Sequence, residues 1–281
     1  MIAPIETTLA GLRARTTAWR KAGETIGVVP TMGALHQGHL SLARAARDTC
    51  DRVIVTIFVN PKQFNNPEDL ENYPRTEQDD AKKLESIGVD VIYVPDGAQM
   101  YPDGFATNVS VGGLTDMLCG AHRPGHFDGV ATVVSKLFLQ TSADKAFFGE
   151  KDYQQLQIVR RMAADLDIPI EVIGCPTIRE IDGLAMSSRN LLLSDRARAK
   201  AAALPDVMED MRVALAKGAL MSDIVDVAKA KIIAAGFNDV EYLELRDSDQ
   251  LKPLNKANAN SRLFAAAWLA GVRLIDNVGV H

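Results

Sequence analysis

Three cysteines in 281 residues exclude a fold stapled by disulfides or built on clustered thiolates. Cys50, Cys119 and Cys175 are scattered and form no C-x-x-C pair. Three reduced thiols are expected, and with them a cytoplasmic location. An excess of basic charge is also lacking. The formal net charge of −5 offers no general attraction to nucleic acid or to an anionic membrane, so neither is expected as a partner. A polyanionic ligand would need a local cationic pocket. The opening stretch MIAPIETTLAGLRARTTAWRKAG has no apolar h-region and carries charges throughout; neither a signal peptide nor a membrane span is expected there. Internal repeats and low-complexity tracts are missing too. What remains is an ordinary globular composition, 47% apolar and 24% charged. It suits one large α/β domain or two unequal ones, with a core that needs neither disulfides nor structural metal.

Several apolar runs read as buried strands: IGVVP at 26–30, RVIVTIFV at 52–59 and DVIYVP at 90–95, joined by KAFFG at 145–149 and IEVIGC at 170–175. They are rich in Val, Ile and Phe and do not alternate with polar residues, as in strands covered on both faces. Helical patterns lie between them, at 39–49, about 75–87, 128–140 and 152–166. Strand alternating with helix implies a doubly wound parallel sheet. Ligands of such sheets bind beyond the carboxyl ends of the strands. Two long loops, 60–76 and 112–127, interrupt the alternation, and loops of that length inside a compact domain are often functional. The pattern changes near residue 176. LSDRARAKAAALPDVMEDMRVALAKG and MSDIVDVAKAKIIAAG read as two helices, each opened by a Ser-Asp suited to N-capping, with Pro205 expected to end or kink the first. Strands follow at 239–247, 262–270 and 272–278. The expectation is an α/β domain over 1–176 and a smaller α+β domain over 177–281.

PTMGALHQGH at 30–39 places two of the five histidines at a strand-to-helix turn. Residues three apart on a first helical turn face the same way, so His36 and His39 can address one ligand group. Gly38 removes side-chain bulk between them, and backbone N–H groups at a helix start favour an anion. The combination suits a phosphate that accepts hydrogen bonds from the imidazoles. Ordinary packing histidines and a metal pair are the alternatives. The second lacks the Glu of H-E-x-x-H and any cysteine cluster, and no metal ligand is assigned. FFGEKDYQQLQ at 147–157 repeats the layout of strand, glycine and charged helix start. Lys151 is a compact cation for a phosphate, and Gln155 lies one turn further along the same face. In DGLAMSSRNLLLS at 182–194, Ser187, Ser188 and Arg189 set two hydroxyls beside a guanidinium, an anion clamp or a solvated turn with a capping serine. In FVNPKQFNN, Asn60 and Gln63 are neutral amides that can bond the hydroxyls and carboxylate of a small substrate, or serve the turn around Pro61. Arg123 and His126 read as part of a loop over the site; Asp79 and Asp80 read as a solvated helix face.

MGALHQGH resembles the H-x-G-H motif of adenylate-forming and nucleotidyl-transferring enzymes. MSSRN resembles a variant of their second motif, K-M-S-K-S, with Ala185 where the first Lys would stand and Arg189 near the place of the second. PTMGALHQGH, FVNPKQF, FGEKDYQQ and DGLAMSSRN, in this order and spacing, resemble the bacterial pantothenate synthetases (pantoate–β-alanine ligases). The likeness spans about residues 20–280 and is closest up to 195. It implies a Rossmann-like domain that binds ATP and pantoate, with the smaller α+β domain closing over the site. It implies ATP-dependent ligation of pantoate and β-alanine to pantothenate through pantoyl adenylate, with release of pyrophosphate and AMP, Mg²⁺ on the phosphates, and a homodimer. His36, His39, Lys151 and Asn60 would form the catalytic set: His36 and His39 on phosphate oxygens, His39 as the active-site acid, Asn60 in support of the reacting centre. Lys151, Ser187, Ser188 and Arg189 would hold the phosphates. Gly149 and Asp152 would line the nucleoside, and Met32 and Ile178 the adenine. Gly33, Ala34, Leu35, Gln37, Gly38, Glu150 and Met186 complete the nucleotide-binding positions, while Gln63 and Gln155 would bind pantoate. Two rivals share the turn. An aminoacyl-tRNA synthetase or nucleotide adenylyltransferase is one; yet a synthetase needs a large tRNA-binding surface, and residues 190–281 carry equal numbers of basic and acidic side chains. A non-catalytic nucleotide sensor is the other, but it would not need the Gln63 and Gln155 pair or both clamps.

Overall fold

A computed structural model of the chain describes residues 3–65 and 67–280. Six strands, β1 (Ile5–Glu6), β2 (Ile26–Thr31), β3 (Arg52–Ile57), β4 (Val91–Tyr93), β5 (Lys145–Gly149) and β6 (Glu171–Cys175), pair in parallel in the order β1-β4-β3-β2-β5-β6. This is the doubly wound sheet expected from the unbroken apolar runs. The chain winds outward from β2 through β3 to β4, then crosses back to β5 on the other side of β2. Strand order therefore reverses at β2, which makes its carboxyl end the topological switch point.

Pro30 shows how that end opens. A proline inside a central strand normally costs a ladder hydrogen bond. Ile26 turns its N–H and C=O toward Asp144, at the start of β5, and Pro30, four residues on, faces the same way. The last β2–β5 pair is Val28 with Ala146, whereas β2 stays paired with β3 as far as Thr31 and Ile57. The missing N–H thus falls past the end of the β2–β5 ladder and breaks nothing.

Several boundaries differ from expectation. β3 ends at Ile57, and β4 is confined to Val91–Tyr93. β1 and the helix Leu9–Lys21 were not expected at all. The two long loops are not structureless: the first holds a 3-10 turn, Pro61–Gln63, and a short helix, Pro67–Glu71, with Asn66 outside the described residues. The second holds a short helix, Cys119–His122, and ends in the helix His126–Thr141. None of the three cysteines forms a disulfide and all three are buried; burial pushes the Cys50 and Cys175 thiols up. Among the described residues no helix is long and apolar enough to cross a membrane.

By its internal packing the chain forms two compact units. One comprises the residues up to Glu150 with Gln155–Pro176; the other comprises Lys151–Gln154 and the residues from Thr177 on. Lys151–Gln154 thus falls outside the unit that a boundary at 176 would give it. The second unit carries an antiparallel sheet of β7 (Asp239–Asp247), β8 (Ser261–Leu269) and β9 (Val272–Val280). Ala270 and Gly271, both at positive φ, make the two-residue turn between β8 and β9. The helices Asp195–Ala201, Ala203–Ala216 and Met221–Ala234 complete this α+β unit. Leu204, Met208, Met211, Ile232, Leu243 and Leu263 lie in its core. Ser194 caps the first helix through Ala197 N–H. The break falls at Ala202, so Pro205 sits in the first turn of the next helix, where its missing N–H costs nothing. The Ser-Asp cap expected for the third helix is not there. Leu220 is the N-cap residue, and Asn255 serves the turn instead: its carbonyl accepts Met221 N–H at 2.7 Å and its Oδ1 accepts Ser222 N–H at 2.9 Å.

Candidate active site

The turn after β2 is held from below. Thr31 Oγ1 donates to the Thr56 carbonyl at 2.7 Å and accepts Gly33 N–H at 3.2 Å. Gly33 has φ +84°, and a Cβ there would lie 3.1 Å from Ile57 Cγ2, so glycine answers both demands. Ala34 follows at φ 50°. Leu35 points its side chain into the core, 2% exposed. Its N–H donates to Asp80 Oδ1 at 2.8 Å, and its carbonyl accepts from Lys83 Nζ at 2.8 Å. Leu35 therefore shapes the turn through both its backbone groups and its buried side chain.

Asp80 corrects an expectation. It is fully buried, not part of a solvated face; Asp79 is the exposed neighbour. Its carboxylate also accepts from Thr76 Oγ1 at 2.9 Å and faces Lys83 Nζ at 3.5 Å. The helix Glu77–Glu85 thus grips the turn at Leu35 from both its N–H and its C=O. A sequence signal existed: Asp80 shares its face with buried Ala81 and Leu84.

His36 is the N-cap of the helix Gln37–Thr49. Its Nδ1 accepts Gly38 N–H at 3.1 Å, and His39 Nδ1 accepts His36 N–H at 3.4 Å, a capping box made of imidazoles. The ring centroids are 4.1 Å apart. With both Nδ1 atoms accepting, the neutral tautomers carry their hydrogens on Nε2. Of the backbone N–H groups at the helix start, that of Gly38 is engaged by the His36 ring, and the N-cap N–H of His36 by the His39 ring.

Past β3, Asn60 is 1% exposed and turned inward. Its Nδ2 donates to Gln63 Oε1 at 3.1 Å and to the Gly129 carbonyl at 3.0 Å; its Oδ1 accepts from Tyr101 Oη at 2.7 Å and Lys62 N–H at 3.3 Å. All four of these bonds go to the scaffold, and one of them holds Gln63. Burial pushes the Tyr101 hydroxyl up to about 12, which keeps it a donor. Gln63 Nε2 reaches Met32 Sδ at 2.9 Å, tying this turn to the one after β2. His126 is not a loop residue over the site. Buried on the long helix, it bonds the Gln63 carbonyl through Nδ1 at 2.8 Å and Arg123 through Nε2 at 3.0 Å. A guanidinium only donates and a carbonyl only accepts, so this imidazole is neutral with its hydrogen on Nδ1. Gly129 permits the approach: a Cβ there would lie 2.3 Å from the Lys62 carbonyl oxygen. Tyr101 and Gly129 were missed by sequence reasoning; a lone glycine within a helical pattern was the available hint.

Gly149 ends β5, and the 3-10 turn Glu150–Asp152 leads into the helix Tyr153–Asp165. Gln155 is half-buried, and its side chain has no hydrogen bond among the described residues. In the second unit, Lys151 is half-buried with Asp152 3.6 Å away. Ile178 accepts Met186 N–H at 2.9 Å, closing a small hairpin. Ser187 caps the 3-10 turn Ser188–Leu192, its Oγ accepting Arg189 N–H at 3.2 Å, and its own hydroxyl hydrogen remains to be donated. The Arg189 guanidinium is half-buried, with no hydrogen bond or ion pair among the described residues. Among those residues no three His, Cys, Asp or Glu side chains group as metal ligands.

A family model described as pantoate-beta-alanine ligase matches residues 4–279. A pantothenate synthetase of Roseobacter denitrificans is 66% identical over 280 residues, covering 100% of this chain and 99% of the relative. The crystal structure of pantothenate synthetase from Thermus thermophilus matches with a TM-score of 0.93 at 43% identity over 99% of both chains. That of pantoate-beta-alanine ligase from Francisella tularensis, complexed with beta-gamma ATP and beta-alanine, matches with a TM-score of 0.83 at 36% identity, over 98% of this chain and 97% of that one. Fold and turn define an ATP-using ligase with a Rossmann-like parallel sheet and a smaller α+β domain. The chain belongs to the pantoate–β-alanine ligase family, and its activity is the joining of pantoate to β-alanine in pantothenate biosynthesis.

Proposed function

We propose that the ligation runs through pantoyl adenylate. A carboxylate oxygen of pantoate attacks the α-phosphorus of ATP; the new O–P bond forms as the bond to the bridging oxygen breaks, and pyrophosphate leaves with that electron pair. Negative charge grows on the nonbridging oxygens, where donors fixed in advance help most. The observation that carries this reading is the imidazole capping box, which ties both Nδ1 atoms to backbone and sets Nε2–H of His36 and His39 as donors. Lys151, Ser187, Ser188 and Arg189 are the further phosphate ligands, with Met32, Gly149, Asp152 and Ile178 along the nucleoside. ATP enters with Mg²⁺ on its phosphate oxygens, an ion that keeps several of its waters. Gln63, and Gln155 with its half-buried amide, hold pantoate. β-Alanine, which the Francisella relative binds, then attacks the acyl carbon as a neutral amine, expels AMP and sheds one proton. Excluding water protects the mixed anhydride in the interval. The chain is taken to act as a homodimer in the cytoplasm, with no nucleic-acid or membrane partner.

Rapid quench with ATP, Mg²⁺ and pantoate but no β-alanine tests this. A burst of pyrophosphate should appear, followed by AMP and pantothenate once β-alanine is added. Pyrophosphate that never precedes β-alanine would remove the adenylate.

A further inference from the structure

β9 carries an Asp-Asn pair in its buried interior. Asp276 stands opposite Ala265, Asn277 opposite Phe264, and each is 3% exposed. A charge in such a place is costly unless paired and hydrogen-bonded, and an apolar pair would fill the strand at lower cost. The partners of these two residues are therefore informative.

Asp276 receives Arg179 in a fork, NH1 to Oδ2 at 2.7 Å and NH2 to Oδ1 at 2.9 Å, and Asn277 N–H donates to Oδ1 at 2.7 Å. The fork holds the Arg179 guanidinium more firmly protonated than usual. Arg179 NH1 also donates to the Gly183 carbonyl at 2.9 Å, across the hairpin that runs from Ile178 into Ser187. Beyond Arg189, Asn190 Nδ2 bonds the Ala185 carbonyl at 3.1 Å and Glu180 Oε1 at 2.8 Å. The Ser187–Arg189 stretch is thus tied down on both flanks. Asn277 serves the other cation. Its Nδ2 donates to the Lys151 carbonyl at 2.8 Å, and its Oδ1 accepts from Arg262. The Arg262 guanidinium lies 4.0 Å over the Tyr153 ring, which stands 6.0 Å from Phe264 of β8. One peptide step on β9 therefore joins the segment that carries Lys151 to the segment that carries Ser187, Ser188 and Arg189.

We propose that Asp276 and Asn277 are positioning residues that set the spacing of the two phosphate-binding segments, Lys151 and Ser187–Arg189, by bonding both from adjacent places on one strand. This rests on the ATP reading above. The pair touches no substrate. It acts through the Lys151 backbone and through Arg179, so that the ammonium and the hydroxyl–guanidinium group meet the nucleotide as one rigid set.

The test is a double-mutant cycle on single-turnover pyrophosphate release. Asn277→Ala should slow the step about tenfold to a hundredfold and raise KM for ATP, with KM for pantoate unchanged. In a Lys151→Ala background the same change should cost no more than about twofold. Arg179→Lys, which keeps the charge and loses the fork, should slow the same step. Full additivity of Asn277→Ala with Lys151→Ala, or equal damage to both KM values, overturns the proposal. Should Asn277→Ala not fold, Asn277→Asp keeps the shape and turns an acceptor toward the Lys151 carbonyl; a soluble Asn277→Asp enzyme of wild-type rate overturns it equally. Wild-type protein releasing no pantoate-dependent pyrophosphate would mark failure of the ATP reading, a separate result seen in the control.

Discussion

His39 acts at two places in one turn: its Nδ1 closes the cap on His36 N–H, and its hydrogen sits on Nε2. Replacing it by alanine removes the donor proposed to meet developing charge and one weak cap bond. The expected loss is about 2.7–4 kcal/mol of transition-state stabilisation, or roughly 10² to 10³ in adenylation rate, with folding preserved. Near-normal single-turnover adenylation by His39→Ala would end that assignment. Asp80 makes the contrast. It touches no proposed substrate, yet it alone accepts Leu35 N–H, four residues before His39. Asp80→Ala strands that buried N–H and takes a partner from the half-buried Thr76 hydroxyl and the exposed Lys83 ammonium. Loss of a hydrogen bond to a charged group costs about 1.5–3 kcal/mol, so urea unfolding of Asp80→Ala should show a clear drop in stability together with slow adenylation. His39→Ala should show the slow step alone. A variant at Asp80 that loses neither would make the clasp incidental.

At the scale of elements, legibility followed how local the stabilising contacts are. β2 and β3 announce themselves because burial on both faces favours apolar residues, and β5 through its buried Ala146–Phe148; β6, a half-buried edge strand, shows only as a short apolar run. β1 is two residues long, and the helix Leu9–Lys21 buries little beyond Leu12 and Thr16, so neither leaves a periodic trace. The H-x-G-H turn was legible as a phosphate candidate, whereas its clasp by Asp80 was not, because the partner sits 45 residues away in what reads as a charge run. Asn60 reads in the sequence as an amide open to a substrate, but its inward orientation depends on Gly129 and Tyr101, which only the fold brings near. The cap of the helix Met221–Ala234 is the plainest case. Ser222 and Asp223 look like a local start, but Asn255, 33 residues on, supplies the acceptor for Ser222 N–H. Asn255→Ala should therefore cost about 1 kcal/mol, as for other lost N-caps, and Ser222→Ala should stay within about 0.5 kcal/mol, as for an exposed substitution. Denaturant melts of the two variants check this, and the reverse ranking would restore the serine as the cap.

For the whole molecule, the two units have separate cores: Val29, Leu40, Val55, Leu84, Ile92 and Phe147 lie in the first, Leu204, Met211, Ile232 and Leu263 in the second. A smaller unit buries a smaller fraction of its surface and is the less stable by that account. The chain supplies its own reporters, since it has two tryptophans. Trp19 lies on the helix Leu9–Lys21, under the Arg52 guanidinium at 5.6 Å. Trp268 lies on β8, its Nε1–H donating to Glu241 at 2.6 Å. Trp268→Phe leaves fluorescence only in the first unit, and Trp19→Phe only in the second. In urea without substrates, the Trp268 signal should change at lower denaturant than the Trp19 signal, and the calorimetric enthalpy of the wild type should exceed its van't Hoff value. The order matters for chemistry, because Lys151–Gln154 belongs with the second unit although both its flanks in sequence belong with the first. Loss of the second unit's structure would then release Lys151 from the Asn277 bond while the parallel sheet and its histidine turn persist. Superimposable transitions from the two reporters would instead make the molecule one cooperative block, and the lysine would keep its place until the sheet itself unfolds.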